Sequence, residues 1–237
     1  MEEGTETTGP PNIVHNLGSL SIVVDNLDPD FSHWFNNLTL PHLTSLSIAS
    51  AENMSPRSCQ NVFTDNCFPS VLSRSGCTIT SLSLTKLPLS DDDVLQLLSV
   101  LPSLSSLTIH EDDVEPFKNN MLSSHFFQSL VIDPNDTPPN TQSSESSSHT
   151  SLRHLKCLDL RLHASLPVKL VAEVIQSRCT NKPEYSTTLG VDGLHVVNIL
   201  VLRSEEMVLL DVEELRDLLL RIAGTGLPFT CSSKWLE

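Results

Sequence analysis

A short phrase, apolar-x-x-Leu-x-apolar, opens and closes the stretch from Ile79 to Ile109: Ile79, Leu82 and Leu84 first, then Leu104, Leu107 and Ile109. Between the two copies, Val94, Leu95, Leu97, Leu98 and Leu101 fall at helical spacing. Ser90 followed by Asp91, Asp92 and Asp93 predicts the helix start. The hydroxyl can accept from an orphan backbone N–H, Asp93 can answer as in a capping box, and the carboxylates oppose the positive helix end. Pro102 sets the far limit. Strand, helix and strand thus follow within about 30 residues, the size of a crossover joining parallel strands.

The phrase recurs at Leu17/Leu20/Ile22, Leu43/Leu46/Ile48, Leu155/Leu158/Leu160 and Leu194/Val197/Ile199. Its middle residues stand at 20, 46, 82, 107, 158 and 197, giving steps of 26, 36, 25, 51 and 39. Leucine-rich repeats run about 20–29 residues, so two steps are regular and three carry extra chain. In each strand the apolar side chains point inward and the alternate ones outward. The alternate slots hold Ser19/Ser21, Ser45/Ser47, Ser81/Ser83 and Ser106/Thr108, all small hydroxyls. The expected fold is α/β: a leucine-rich-repeat-like open solenoid, or horseshoe, with a parallel sheet on one face and helices on the other. Such a coil suits 237 residues, because each repeat buries its face only against its neighbours.

The pattern divides the chain into four parts. Residues 1–11 read as a disordered acidic tail and 12–132 as the N-terminal repeats. Residues 133–151 (DPNDTPPNTQSSESSSHTS) read as a disordered Ser/Pro-rich insertion, and 152–237 as C-terminal repeats of the same solenoid. The first strand is expected near Asn16–Val24 with no polar capping element before it, which points to a domain upstream. Phe31, Trp34, Phe35 and Leu38 share a helical face behind it. The stretch from Ala51 to Asn66 reads as irregular, and Phe68–Ser75 as a short helix closed by Gly76. Further helices are expected at Asn119–Ser129, from Pro167 to Arg178, and at Val208–Ala223. Gly226 to Phe229 reads as a short edge strand.

Composition narrows the function. Fourteen Lys and Arg against 29 Asp and Glu give a formal charge of −15, which argues against nucleic acid and against an anionic membrane surface. The six cysteines, Cys59, Cys67, Cys77, Cys157, Cys179 and Cys231, form neither a C-x-x-C nor a metal-binding spacing. With no secretory signal and no long apolar run, reduced thiols in cytoplasm or nucleus are expected. No phosphate loop, nucleophile elbow or zincin motif occurs, so no enzyme, cofactor or metal is expected. The nine His are expected at the surface. His110-Glu111-Asp112-Asp113, just past a strand end, could suggest acid–base or metal chemistry; without further ligands it reads as a solvated rim loop.

The outward positions are therefore the candidate protein-binding residues: Ser47, Ser83, Thr108, Asp159, Arg161 and Asn198, with Glu111, Asp112 and Asp113 on the rim. Short hydroxyls leave a shallow surface, the later charges and amide supply directional contacts, and the rim carboxylates would steer a basic partner.

From about Leu40 to Leu227 the chain resembles the C-terminal repeat region of fungal F-box proteins of the leucine-rich-repeat type. The resemblance rests on LPHLTSLSI, on FPSVLSRSGCTITSLSLTKLPLSDDDVLQLLSVLPSLSSLTI, on SLRHLKCLDLRL, and on LVAEVIQSR with the closing AGTGL. It implies the substrate-recognition arm of a cullin-type ubiquitin ligase, its repeats holding a protein target. A Skp-type adaptor and cullin would be reached only through an F-box preceding this chain, since nothing before Leu17 can form that helical module. The alternatives are a repeat scaffold with no ligase connection and an enzyme with an unrecognised site in the loops around His110 to Asp113.

Overall fold

The computed structural model describes residues 13–24, 35, 37–51, 67–113, 121–132, 152–163, 167–179, 190–204, 211–224 and 226–236. The expected tail, the Ser/Pro-rich insertion and nearly all of the irregular stretch after Ala51 lie outside them.

The chain is α/β. Nine strands are described: β1 (Ile13–Val14), β2 (Ser19–Val24), β3 (Leu38–Thr39), β4 (Ser45–Ser50), β5 (Ser81–Thr85), β6 (Ser106–His110), β7 (Cys157–His163), β8 (Val196–Arg203) and β9 (Phe229–Trp235). The helices are α1 (Cys67–Ser75), α2 (Asp91–Ser99), α3 (Ser124–Leu130), α4 (Val168–Arg178) and α5 (Val212–Ala223). A seven-stranded sheet runs β2-β4-β5-β6-β7-β8-β9, and every neighbouring pair is parallel. Spatial order equals chain order, so each crossover advances the sheet by one strand. The helices follow in step, α2 packing on α3, α3 on α4 and α4 on α5. The short β1 pairs with β3 in a separate two-stranded ladder.

Register joins the repeats into rows. Leu20, Leu46, Leu82, Leu107, Leu158 and Val197 stand opposite one another across six adjacent strands, and Phe229 extends the row. Two residues on, Ile22, Ile48, Leu84, Ile109, Leu160 and Ile199 form a second row ending at Cys231. Both rows belong to one continuous core with the helices' apolar faces. A one-residue slip would turn both rows out to solvent, and this is what pins the register.

The caps are those the residues dictate. Ser90 Oγ accepts from Asp93 N at 3.2 Å, and Asp93 Oδ2 accepts from Ser90 N at 3.0 Å, completing the capping box of α2. Gly76, at φ 59°, takes the left-handed position after α1 that a side chain would strain.

A second device recurs at helix ends. At the end of α1, Arg74 donates through Nε and Nη2 to Leu38 O (3.1 and 2.6 Å), and Ser75 Oγ accepts from Leu40 N at 2.9 Å. At the end of α4, Arg178 donates through Nη2 to Leu130 O at 2.9 Å, and Ser177 Oγ accepts from Ile132 N at 3.3 Å. Each time an Arg and an adjacent Ser tie residues i and i+2 of an earlier connection. Arg178 also donates through Nη1 to Leu152 O at 2.6 Å, so it bridges the described residues on either side of 133–151.

Several expectations need correction. Leu38 belongs to β3, where it pairs with Ile13, not to a helix. Leu17, expected inside, is exposed. Helix α3 begins at Ser124 because Ser123 Oγ caps it, accepting from His125 N and Phe126 N. Helix α5 begins at Val212, capped by Asp211, and Pro167 stands at the N-cap of α4 rather than in its first turn. The last strand is not a short segment before Phe229. It runs from Phe229 to Trp235 and pairs with β8 throughout.

Candidate functional site

The outward face of the sheet carries two rows. One reads Ser21, Ser47, Ser83, Thr108, Asp159, Asn198 and Thr230; the other reads Val23, Ala49, Thr85, His110, Arg161, Leu200 and Ser232. Candidates Ser47, Ser83, Thr108, Asp159 and Asn198 therefore share a single row, all half-buried, and Arg161 lies in the next. Only short hydroxyls and alkyl groups occupy the rows up to β5. From β6 onward, His110, Asp159, Arg161 and Asn198 add longer polar side chains between Thr108, Leu200, Thr230 and Ser232.

On that second half they form a network. Thr230 Oγ1 donates to Asn198 Oδ1 at 2.8 Å, and Asn198 Nδ2 reaches Asp159 Oδ2 at 3.5 Å. His110 Nε2 lies 2.9 Å from Asp159 Oδ1. An ionised carboxylate can only accept, so the proton of this contact sits on Nε2. Arg161 pairs with Asp113, which Lys234 Nζ also contacts at 3.0 Å. Lys86 Nζ lies 3.5 Å from Asp112. Lys86 has φ 55°, a left-handed conformation unusual for a residue with a side chain. It turns the chain off the end of β5, beside Asp112.

The network thus joins residues of β6 through β9 to Lys86, Asp112 and Asp113, which lie just past the ends of β5 and β6. The Arg161–Asp113 and Lys86–Asp112 pairs are partly buried, and Lys234 is the more exposed partner of Asp113; these contacts fix the side-chain positions.

Glu111 is not a solvated rim residue. It is 6% exposed, and its carboxylate accepts from Leu122 N at 3.2 Å and from His163 N at 2.9 Å. One side chain therefore joins the ends of β6 and β7 to the segment leading into α3. Burial pushes its pKa up to about 7, more than the two backbone N–H groups pull it down. It offers no surface charge to steer a basic partner, and Asp112 and Asp113 are already paired with Lys86, Arg161 and Lys234. His163 is a second departure, buried where a surface position was expected. Desolvation lowers its pKa, opposed in part by its hydrogen bond to the Asp112 backbone.

The raised pKa of Glu111 makes stability pH-dependent. Between about pH 4.5 and 7 the folded protein holds a proton on Glu111 that the unfolded chain releases, so this group's contribution falls as pH rises through that window. The swing is about 3 kcal/mol, from roughly 1.4 kcal/mol per pKa unit. His163, a base buried neutral, contributes the opposite slope below its ordinary pKa. Chemical denaturation of wild type and Glu111→Gln across this range isolates the term. Wild type should lose stability relative to the variant as pH rises, and parallel curves would contradict the assignment.

Two other clusters lie apart from the network. Asp91, Asp92 and His125 place three potential ligand atoms within 4.8 Å of one another. His125 Nδ1 lies 3.5 and 3.6 Å from the two carboxylates, and Asp91 also receives the Ser123 hydroxyl. These contacts join the N-terminal ends of α2 and α3. On the helical side, a cleft of about 320 Å³ between α4 and α5 is lined by Ala172, Gln176, Cys179, Leu218, Arg221 and Ile222. Burial pushes the Cys179 thiol up to about 11, which suppresses thiolate chemistry there. Among the described residues, no helix is long and apolar enough to cross a membrane.

The polar network was only partly visible in the residues. Asp159, Arg161, Asn198, Asp112 and Asp113 are among the expected binding residues; Lys86, Thr230 and Lys234 are not, and His110, in the loop expected to be solvated, is the last residue of β6 and contacts Asp159. Thr230 and Lys234 lie on a strand whose apolar alternation is too weak to announce it. No protein-family model, no curated protein and no solved structure matches the chain.

Proposed function

We propose that this chain is a protein-interaction module, a leucine-rich-repeat-like open solenoid that receives a protein partner on its outward sheet face. The observation that carries the reading is the polar network of Lys86, His110, Asp112, Asp113, Asp159, Arg161, Asn198, Thr230 and Lys234, laid across five neighbouring strands. Beside it, the hydroxyl rows of β4 and β5 form a shallow surface that accepts a partner's backbone or large side chains. The charged groups, already held in place, would supply direction and selectivity at little ordering cost. The sequential parallel order supports the solenoid, each crossover advancing by one strand with its helix stacked on the previous one.

The resemblance carries the reading one step further: the module acts as the substrate-recognition arm of an F-box type ubiquitin-ligase receptor, binding a protein target inside the cell. The Skp-type adaptor and cullin enter only through an F-box attached upstream. The −15 charge favours a basic protein partner over nucleic acid or an anionic membrane.

Affinity capture with wild type and with Asp159→Ala/Arg161→Ala tests the binding face, after circular dichroism shows that both fold alike. Partners should be lost or weakened at least about tenfold, a change of roughly 1.4 kcal/mol. If the variant retains the same partners with the same salt sensitivity, the network is not the binding site. Capture of Skp-type and cullin subunits by a chain extended through an upstream F-box would test the ligase connection separately.

A further inference from the structure

The two edges of the seven-stranded sheet are built differently. The β9 edge carries Lys234 within the strand and Pro228 before it, and its inward row fades through Cys231 and Ser233 to an exposed Trp235 whose ring is covered by Arg203. Lysine, proline and polar inward positions are the usual means by which proteins keep an edge strand from pairing. The β2 edge has none of them. Its sequence is Ser-Leu-Ser-Ile-Val-Val, with no charge and no proline. Exposed apolar side chains accompany it: Val23, 67% exposed, on the strand itself, with Ile13, Val14 and Leu17 just before it.

Backbone geometry says what would fit there. Gly18 O accepts from Thr44 N and Ser45 N, and Val24 O accepts from Ala51 N. In a parallel pair a residue's N–H and C=O point to the same side, so Gly18, Leu20, Ile22 and Val24 face β4. The N–H and C=O groups of Ser19, Ser21 and Val23 then point away from the sheet. Among the described residues, no strand pairs with that side. This odd-numbered set is its own complement. A two-fold axis through Ser21 places Ser21 opposite Ser21 of a second copy, and Ser19 opposite Val23. In an antiparallel ladder these are the pairs that exchange two hydrogen bonds, so all three donors and all three acceptors are satisfied on each side. The same axis keeps inward rows with inward rows, setting Leu20 opposite Ile22 of the second copy. The exposed Val23 side chains come to lie across from the Ser19 hydroxymethylenes.

We propose that the uncharged edge of β2 is a homodimer interface, at which two copies pair antiparallel about Ser21 into one continuous sheet. The interface is isologous, one patch meeting itself, and so it closes at two copies. It leaves the outward polar network of β5 to β9 on each protomer free, and it does not depend on what that network binds.

Sedimentation equilibrium of the full chain over a concentration series tests it. Wild type should approach twice the 26.1 kDa chain mass. Val23→Lys should raise the dimer dissociation constant more than about tenfold, as should Ser21→Pro, which removes an outward N–H at an edge position where proline is tolerated. Ser232→Lys on the opposite edge should change nothing. Hydrogen exchange supplies a second readout that needs no substitution: the Ser19, Ser21 and Val23 amides should become more protected as concentration rises. A wild type that stays monomeric at all concentrations overturns the proposal. So does a dimer indifferent to Val23→Lys, or concentration-dependent protection that falls on β9 instead.

Discussion

Arg178→Ala should destabilise the fold by about 3–5 kcal/mol, since hydrogen bonds from a charged donor are worth roughly 1.5–3 kcal/mol each and two are lost. The side chain is 1% exposed, and its guanidinium donates to the carbonyls of Leu130 and Leu152, at the described edges of the longest step in the repeat. No carboxylate pairs with it among the described residues, so those two carbonyls and the C-terminal end of α4 carry the compensation for its charge. Burial lowers its pKa to about 10, which leaves it protonated at neutral pH. Removing a buried charge also recovers desolvation energy, so the loss is smaller than the bonds alone suggest. Arg178→Met separates the terms, for it keeps the volume and lacks both charge and donors. It should lie between wild type and Ala in urea denaturation. Lys in its place should not restore the wild-type value, because a single ammonium lacks the fork that reaches two carbonyls. A loss below about 1 kcal/mol for Arg178→Ala would mean that other contacts hold the two sides of the step together.

The clasp was hidden in the sequence although its parts were in view. Arg74-Ser75 and Ser177-Arg178 close two helices in opposite order, so aligning one repeat on the other does not superpose them. Their common role appears only when the carbonyls and amides of Leu38/Leu40 and Leu130/Ile132 are located. Glu111 shows a different failure. Counting by two from Leu107 and Ile109 reaches Glu111 on the inward side, so strand parity alone predicts its burial. The neighbouring charges concealed this, because a run of His, Glu and two Asp reads as solvent-facing whatever its phase. The apolar rows were legible because period-two alternation, repeated in six places, fixes both the strands and the side of each residue. Strand β9 was not, since Phe229, Cys231 and Ser233 present a fading inward row. Only its register with β8 identifies it.

The rows also decide where a single truncation does most harm. Leu107→Ala should cost about 2–5 kcal/mol, the range for removing a buried leucine side chain. Leu82→Ala, its partner in register across β5 and β6, should cost a similar amount. Leu107 is 0% and Leu82 1% exposed, and both belong to the core that also holds Val94, Leu97 and Leu98 of helix α2. Neither site can relax by drawing in solvent or a mobile neighbour. Flanking strands hold the backbone on both sides, so most of the cavity remains. The two residues touch the same cavity, and the double variant should therefore cost less than the two single losses together. Ser83→Ala, one position along on the outward face, is the internal control and should stay within about 0.5 kcal/mol of wild type. Chemical denaturation of the four variants decides the matter. A loss under about 1 kcal/mol at both leucines, against the 2–5 expected, would mean that the central rows are not what holds this sheet to its helices.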